Sequence, residues 1–174
     1  MAITKWRLFI NFEKEEQWLN KMAAKGLNFI SCKLGRYTFE EGPPAEYIYR
    51  LELLKGAPKD EHVENYLTTM EDYGIECVDT YNNWAFFRKK AADGPFEIYS
   101  DFESKVDHYK RVAYLLGTVG GLNLFIALFN VTLSQFNMYL SIVNFLIFVL
   151  ITPIFISYLR KIKELKKEQA LYDK

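Results

Sequence analysis

The chain has 174 residues, of which 50% are hydrophobic and 25% are charged, so it has room for one domain and an additional apolar segment. Its formal charge is zero, but residues 1–100 hold 13 Lys and Arg against 16 Asp and Glu, whereas residues 160–174 hold 6 against 3. Phosphate binding needs a basic face, so the mildly acidic first part argues against direct binding of nucleic acid.

Strands and a helix are predicted over the first 54 residues. Residues 6–12 largely alternate between apolar and polar side chains, which predicts a half-buried strand with these residues on its core face: Trp6, Leu8, Ile10 and Phe12. A helix is expected from Glu13 to Lys25 and is closed by Gly26. Three further strands are predicted at residues 27–34, 36–41 and 46–54.

A second helix and two strands complete the first domain. Asp60 is a typical N-cap, and the apolar residues after it recur with helical spacing: Val63, Tyr66, Leu67 and Met70. Strands at 75–81 and 84–88 are joined by Asn82 and Asn83, a pair that favours a hairpin turn. This order predicts an α+β domain at residues 1–92, arranged as a ferredoxin-like sandwich with two helices on one face of an antiparallel sheet.

Two long uncharged runs, 112–133 and 139–159, dominate the rest of the chain. A helix of this length reaches roughly 30 Å, the thickness of the hydrocarbon core of a bilayer. The runs therefore predict two transmembrane helices that form a hairpin. Residues 93–111 are interpreted as a linker and juxtamembrane helix, and residues 160–174 as a basic tail.

The charges flanking the two runs predict an orientation. Basic residues lie before the first run and after the second, and the connection between them is uncharged. Because Lys and Arg are retained on the cytoplasmic side, we expect a two-pass protein of the cell membrane with both termini in the cytoplasm. Lys5 and Arg7 interrupt the start of the chain, so no signal peptide is expected. In the reducing cytoplasm, Cys32 and Cys77 are expected to be buried thiols.

Several segments combine uncommon residues in a distinctive order. They are EKEEQWLNKMAAKG at 13–26, YTFE at 37–40, EYIYR at 46–50, WAFFRKK at 84–90 and EIYSDFESK at 97–105. Over residues 6 to about 111 the chain resembles the bacterial domain of unknown function family 2812. The resemblance implies a first domain followed by membrane helices. It also implies a PadR-like transcription repressor as a protein partner, because family members are often encoded beside such regulators. It implies no catalytic residues.

Residues suited to catalysis or metal binding are sparse. His62 and His108 have neither a ligand four residues away nor a neighbouring cysteine, so we expect both to be solvated. The carboxylates at Glu13, Glu15 and Glu16 are typical of a helix start rather than of a metal site. We also find no glycine-rich phosphate-binding loop in the sequence. The sequence therefore predicts no enzyme, no catalytic or metal-binding residues and no cofactor.

The segment from Tyr99 to Lys105 is one candidate interaction site. Asp101 and Lys105 are four residues apart and pair on a helix; with Tyr99 and Ser104 they are predicted to couple the domain to the membrane helices. In the structural alternative, Ser100 or Asp101 caps a helix and the aromatic residues dock on the domain.

The last predicted strand holds the second candidate site. Trp84 and Phe86 are expected to fill the core, because alternate aromatic residues of a strand usually do. Phe87 and Arg88 are then predicted on the outward or edge side, where an aromatic residue beside arginine is a common interface hot spot.

The predicted membrane helices contain a small-residue motif. Gly117 and Gly121 have GxxxG spacing, which lets a helix approach either the second helix or a second copy of the chain in a homodimer. The polar residues Asn123, Asn130 and Asn144 are expected to form hydrogen bonds across helices. The spans contain no charged residue, which argues against an ion-coupled transporter.

Two hypotheses about function follow. The first is a membrane-anchored regulatory and protein-interaction module that senses the envelope and modulates a PadR-like repressor. The alternative is a small accessory subunit of a membrane transporter or exporter complex, associating through the face that carries Gly117 and Gly121.

Overall fold

A computed structural model describes residues 2–172, with backbone alone at residues 135 and 136. The chain divides into two compact units, Met1–Ile98 and Tyr99–Lys174, called here the α+β unit and the helical unit. Asp173 and Lys174, the last two residues of the predicted basic tail, lie outside the described residues.

The α+β unit contains two three-stranded antiparallel sheets. The first has the order β1-β3-β2 and the second the order β4-β6-β5. The bounds are β1 Ala2–Trp6, α1 Phe12–Ala23, β2 Leu27–Lys33, β3 Arg36–Glu41, β4 Tyr47–Leu53, α2 Glu61–Asp72, β5 Glu76–Tyr81 and β6 Trp84–Lys90, followed by a 3-10 turn at Ala91–Asp93. The α+β class is confirmed. The ferredoxin-like arrangement is not, because the strands form two sheets.

Bulges interrupt the strands that carry the thiols. β2 shifts register between Phe29 and Ser31, and β5 shifts between Cys77 and Asp79. Such bulges disrupt a regular hydrogen-bond ladder. A side chain links the two strands instead, since the Asp79 carboxylate accepts a hydrogen bond of 2.7 Å from the Cys32 backbone N–H.

An aromatic core lies between α1 and the inner faces of the sheets. Phe29 is fully buried, with its ring centroid 5.0 Å from that of Phe86 in the second sheet. Trp18 of α1 meets the ring of Tyr37 edge-on at 4.8 Å. Such pairs add roughly 0.5–1.5 kcal/mol each beyond the burial of their area. The predicted apolar face of α1 is confirmed, with these residues buried: Trp18, Leu19, Met22 and Ala23.

Polar side chains of α1 close the outer edge of β4. Asn20 accepts a hydrogen bond of 2.9 Å from the Tyr49 N–H and donates one of 3.0 Å to the Tyr49 carbonyl. Glu16, one helical turn earlier, accepts from the Leu51 N–H at 3.1 Å. Unpaired edge groups invite pairing with other chains, so α1 protects this edge as well as covering the core.

A second core covers the other face of β6. It contains Phe87, which is fully buried, together with Val63 and Met70 of α2 and Phe96 of the segment after β6. The ring of Tyr66 lies edge-on to Phe87 at 6.3 Å. Because β6 is the central strand of its sheet and is covered on both faces, consecutive apolar side chains are buried there.

The predicted strand at 6–12 is wrong. β1 ends at Trp6, whose partner in the register is Arg36, the first residue of β3. Pairing stops there because the partner strand begins there. Trp6, Leu8 and Ile10 are exposed rather than buried. Phe12 is buried as predicted, but as the first residue of α1.

The helical unit consists of α3, Phe102–Val131, and α4, Gln135–Tyr172. At 1.5 Å per residue these helices are about 45 and 57 Å long, which exceeds the roughly 30 Å of a hydrocarbon core. Both are long and apolar enough to cross a membrane, and 28% and 11% of the residues in their most apolar windows are buried. A core helix of a soluble protein is mostly buried, whereas these helices present large apolar side chains outwards.

Two expectations about polar residues in this unit are wrong. Asn123 and Asn144 donate to carbonyl groups four residues earlier in their own helices, rather than across the helix pair. The hydrogen bond between helices is made by Ser141, whose hydroxyl donates to the Ala127 carbonyl at 2.7 Å. His108 is buried beside the rings of Tyr99 and Tyr109, not solvated, and the ring of Tyr109 in turn contacts that of Tyr158 on α4.

Candidate interaction surfaces

Three large apolar side chains are exposed together at one end of the first sheet. Trp6 is 73% exposed, Leu8 85% and Leu34 76%. We call these residues the apolar tip. They come from the end of β1 and from the turn between β2 and β3.

Backbone contacts hold the two parts of the apolar tip together. The Arg7 N–H donates to the Gly35 carbonyl at 2.8 Å, directly after the last pair of the β1–β3 register. A Cβ added at Gly35 would lie 2.6 Å from Leu8 Cδ2 and 2.8 Å from the Arg7 carbonyl oxygen. Glycine is therefore needed at position 35 for this close approach, which places Leu8 against the turn.

Leu34 has a backbone conformation that is unusual for its type. Its φ is +49°, and the following Gly35 has φ +78°, so both central residues of the turn are left-handed. Tight hairpin turns of this kind favour Asn-Gly or Asp-Gly, because Asn and Asp tolerate positive φ better than leucine. Exposure leaves this leucine with little packing to offset the strain. Neither turn geometry nor core packing accounts for an apolar residue here.

Cationic residues lie near the apolar tip. Lys5 and Arg7 flank Trp6, and Lys33 and Arg36 flank the turn; Lys33 and Arg36 are also register partners. The guanidinium of Arg7 lies 5.0 Å from the centroid of the Phe9 ring and 5.7 Å from that of Trp18, so its charge is turned towards α1, and Lys33 and Arg36 are the cations next to the tip. The tip thus combines exposed apolar side chains with neighbouring positive charge.

The opposite charge is concentrated on α2. Its exposed acidic residues are Glu61, Glu64, Glu71 and Asp72, and the helix contains no lysine or arginine. Glu71 and Asp72 occupy the last turn, where the helix dipole disfavours negative charge. Tyr73, which follows them, is 75% exposed. We call this surface the acidic face of α2.

The structure places Phe87 and Arg88 differently from the sequence prediction. The predicted exposure of Phe87 is wrong: it is fully buried in the second core. Arg88 makes two hydrogen bonds of 2.8 and 2.9 Å with the Glu76 carboxylate, and its guanidinium lies 4.3 Å from the centroid of the Tyr47 ring. Arg88 therefore ties β5 to β6 on the surface of the second sheet.

Asp101 is the N-cap of α3. Its carboxylate accepts a hydrogen bond of 2.7 Å from the backbone N–H of Ser104, and this bond lowers the pKa of Asp101. Tyr99 precedes the helix, and its ring centroid is 5.4 Å from that of His108. Lys105 lies in the first turn of α3. The capping geometry of the structural alternative is thus present, and a coupling role for these four residues stays a prediction.

The two glycines of the GxxxG motif face different surroundings. A Cβ at Gly117 would lie 3.1 Å from the Phe155 ring of α4, whereas a Cβ at Gly121 would meet nothing within 4 Å. Gly120 is the second glycine that faces α4, with Ile151 at 3.5 Å. Close packing of α3 on α4 therefore uses Gly117 and Gly120, and Gly121 lies on the outside of the pair.

Comparison with protein families concerns the segment from α1 to the middle of α3. The model of the family described as "Protein of unknown function (DUF2812)" matches residues 11–120. This chain belongs to that family. Comparison with curated proteins and with solved structures gives no match. The DUF2812 segment crosses from the α+β unit into the helical unit and includes the Asp101 cap. Of the apolar tip, it contains Leu34 but not Trp6 or Leu8.

Two carboxylates of α1 in the DUF2812 segment are largely removed from water. Burial raises the pKa of Glu15 to about 7, although the Tyr37 hydroxyl donates a hydrogen bond of 2.6 Å to it. Burial also raises the pKa of Glu16 to about 7, against the attraction of Arg50, whose guanidinium is 3.3 Å away. Both carboxylates bind groups of this chain. Among residues 2–172, no group of three or more His, Cys, Asp or Glu side chains is arranged to hold a metal ion.

Sequence reasoning missed the apolar tip of this DUF2812 protein. The alternation at residues 6–12 suggested that Trp6 and Leu8 face the core, and Leu34 was counted as the end of a strand. A local signal was present in two places, because Lys-Trp-Arg-Leu at 5–8 and Lys-Leu-Gly-Arg at 33–36 both place apolar residues among cations. That pattern is typical of a surface at a membrane interface.

Proposed function

We propose that this chain is a membrane-anchored protein-interaction module, in which α3 and α4 cross the cell membrane and the α+β unit acts in the cytoplasm. The observation that carries the proposal is the outward apolar surface of the helix pair. Exposing this surface to water costs free energy, whereas lipid chains would cover it. Membership of the DUF2812 family adds no catalytic assignment to this interpretation.

The charges of the helical unit support the orientation. The Phe102 ring of α3 lies 5.4 Å from the Tyr172 ring of α4, so the start of α3 and the end of α4 are neighbours. The basic residues that flank the two apolar runs are found at this same end: Lys105, Lys110, Arg111, Arg160, Lys161, Lys163, Lys166 and Lys167. One basic end and one uncharged end support an orientation with the basic end in the cytoplasm.

The acidic face of α2 supports a basic protein partner. Acidic residues in the last turn lower the stability of the helix, so stability does not account for Glu71 and Asp72. A basic surface, such as a DNA-binding protein presents, is their electrostatic complement. A PadR-like transcription repressor is the partner that the family resemblance implies. Binding at the membrane would withdraw such a repressor from DNA in response to the envelope.

Affinity purification tests this proposal. The tagged full chain is extracted from its bacterium in mild detergent, and retained proteins are identified by mass spectrometry. We expect a PadR-like repressor to be retained, and the double variant Glu71→Gln and Asp72→Asn to lose it. The matched control is Glu40→Gln and Glu41→Gln, which neutralises two exposed acidic residues of β3. Retention of no repressor above a tag-only sample, or equal loss in the control, would contradict the proposal.

A groove on the helical unit favours a second candidate function, that of an accessory subunit of a membrane transporter or exporter. The groove has a volume of about 410 Å³ and is lined by residues of both helices, including Tyr114, Gly117, Thr118 and Phe155. An apolar helix of another subunit is the occupant expected in lipid. A photo-crosslinker at Thr118 should then capture a discrete membrane protein, and crosslinks to lipid alone would argue against this role.

A further inference from the structure

We propose that the apolar tip, formed by Trp6, Leu8 and Leu34, is a second membrane contact that inserts into the interfacial layer of an anionic bilayer. This contact is separate from the two membrane helices and from partner binding at the acidic face of α2. It belongs to the part of the chain that the proposed topology exposes to the cytoplasm.

The composition of the tip matches the chemistry of a lipid interface. Tryptophan is enriched at the level of lipid headgroups, where its ring is amphipathic. Leucine side chains supply apolar area that reaches the acyl boundary. Three large side chains at this end of the sheet are each more than 70% exposed, which leaves their apolar area in contact with water.

The charges around the tip decide between lipid and a protein partner. Two cations adjoin it at the turn, Lys33 and its register partner Arg36, which is also the partner of Trp6. Lys5 and Arg7 alternate with Trp6 and Leu8 and so lie on the other face of the strand. Anionic headgroups attract the two cations at the turn, because each basic residue near the surface strengthens binding roughly fivefold at low salt. Protein interfaces favour tryptophan and arginine but are depleted in lysine, so Lys33 is the neighbour of the tip that favours lipid over a protein partner. An anionic lipid surface is therefore the occupant that satisfies both the apolar residues and the cations beside them.

The backbone at Leu34 provides an independent argument. A leucine with φ +49° at an exposed turn is strained, and asparagine would relieve that strain while keeping the Asn-Gly turn sequence. A residue that lowers stability and contacts little of its own unit is explained when its side chain has an external contact.

Fluorescence of Trp6 in vesicles tests the contact on the full chain. The chain has three tryptophans, Trp6, Trp18 and Trp84, so the spectrum of the wild type minus that of Trp6→Phe isolates Trp6. The protein is reconstituted into phosphatidylcholine vesicles, alone or with about 30% phosphatidylglycerol, and brominated lipid serves as a quencher. Tyr73→Trp in the Trp6→Phe background is the control, because it places tryptophan at an equally exposed position on the acidic side.

We expect a blue-shifted emission of Trp6 that brominated lipid quenches in anionic vesicles, with little quenching in phosphatidylcholine alone or at about 0.5 M salt. Tryptophan at position 73 should stay open to aqueous acrylamide. Lys33→Gln with Arg36→Gln should lower the ratio of inserted to free tip roughly 25-fold at low salt, from fivefold for each charge.

The variant Leu34→Asn separates this role from a structural one. It should raise the urea midpoint of the α+β unit, because the turn is relieved of strain, and should reduce quenching of Trp6 in anionic vesicles. A fall in both quantities would overturn the proposal. Absence of quenching of Trp6 by brominated lipid in anionic vesicles would also overturn it. So would protection of Trp6 from aqueous acrylamide that is equal in the two kinds of vesicle, or that rises with protein density as a contact between copies would give.

Discussion

Replacing Asn20 by alanine removes the side chain that closes the outer edge of β4. The wild-type amide makes one hydrogen bond with each backbone group of Tyr49, at 2.9 and 3.0 Å, and a third of 2.8 Å with the Glu16 carbonyl of its own helix. Tyr49 is fully buried, and its C=O also accepts a hydrogen bond of 3.1 Å from the Arg50 guanidinium, so the N–H is the group that the substitution leaves without a partner.

The expected loss follows from these contacts. Each hydrogen bond contributes about 1 kcal/mol net, and a buried backbone group left unsatisfied costs about 1–3 kcal/mol. Alanine recovers roughly 0.5 kcal/mol because it favours a helix more than asparagine does. We therefore expect Asn20→Ala to lower the free energy of unfolding of the α+β unit by about 2–4 kcal/mol. The free energy of unfolding of Asn20→Asp should lie between those of the wild type and Asn20→Ala, since a carboxylate accepts from the Tyr49 N–H but cannot donate to its carbonyl.

Tryptophan fluorescence during urea titration of the full chain in mild detergent measures this loss. All three tryptophans lie in the α+β unit, so their emission reports its unfolding and not that of α3 and α4. Hydrogen exchange of the β4 segment gives a second readout, in which the Tyr49 amide should lose protection before the amides that pair with β6.

The matched control is Asn65→Ala, which removes an exposed asparagine from α2 and should change the free energy of unfolding by less than about 0.5 kcal/mol. A loss below about 1 kcal/mol for Asn20→Ala, with unchanged exchange at Tyr49, would refute the reasoning. It would mean that water forms hydrogen bonds with the backbone of the β4 edge as well as the Asn20 side chain does.

Three further predictions concern burial, charge and helix packing. Phe87→Ala should destabilise the α+β unit by about 3–5 kcal/mol in the same titration, because it empties a fully buried site; a loss typical of a surface residue would restore the interface interpretation. The raised pKa of Glu15, about 7 against 4.5, means that the folded state binds a proton that the unfolded state releases. The stability that this group contributes is thus fully present below pH 4.5 and is lost as the pH rises through 7. Glu15→Gln should reduce the measured dependence in that window, and Glu16, whose pKa is also raised to about 7, should maintain the rest. Gly117→Val should crowd the Phe155 ring and lower the thermal stability of the helix pair by about 1–3 kcal/mol, as measured by circular dichroism, whereas Gly121→Val should not; the reverse order would place the packing surface on the outside of α3.

Local patterns predicted the elements that local forces define. The bounds of β3 are those expected, and the hairpin between β5 and β6 turns at Asn82, whose φ is +53°. The apolar spacing after Asp60 identified α2, although the Asp60 carboxylate accepts from the Ala57 N–H rather than capping the helix. The length and apolarity of the last third identified both long helices.

The failures share a non-local cause. The strand expected at residues 6–12 stops at Trp6 because its partner strand begins opposite it, which no pattern within β1 reveals. Phe87 is buried because α2 covers the second face of its sheet. His108 is buried beside Tyr109, whose ring contacts that of Tyr158 on α4. Each depends on a neighbour distant in sequence, so periodicity alone could not predict it.

The protection of β4 by α1 also limits how a peptide could add to these sheets. A ligand that binds by strand addition needs an open backbone edge, and Asn20 and Glu16 already occupy that of β4. The side-chain link from Asp79 occupies part of the edge of β2. Within residues 2–172, β1 is an edge strand with no strand paired to its outer side, and it carries Lys5 as a deterrent to fibrillar stacking. A strand that added at β1 would lie next to the apolar tip, so the proposed bilayer contact and peptide capture would compete for the same end of the sheet.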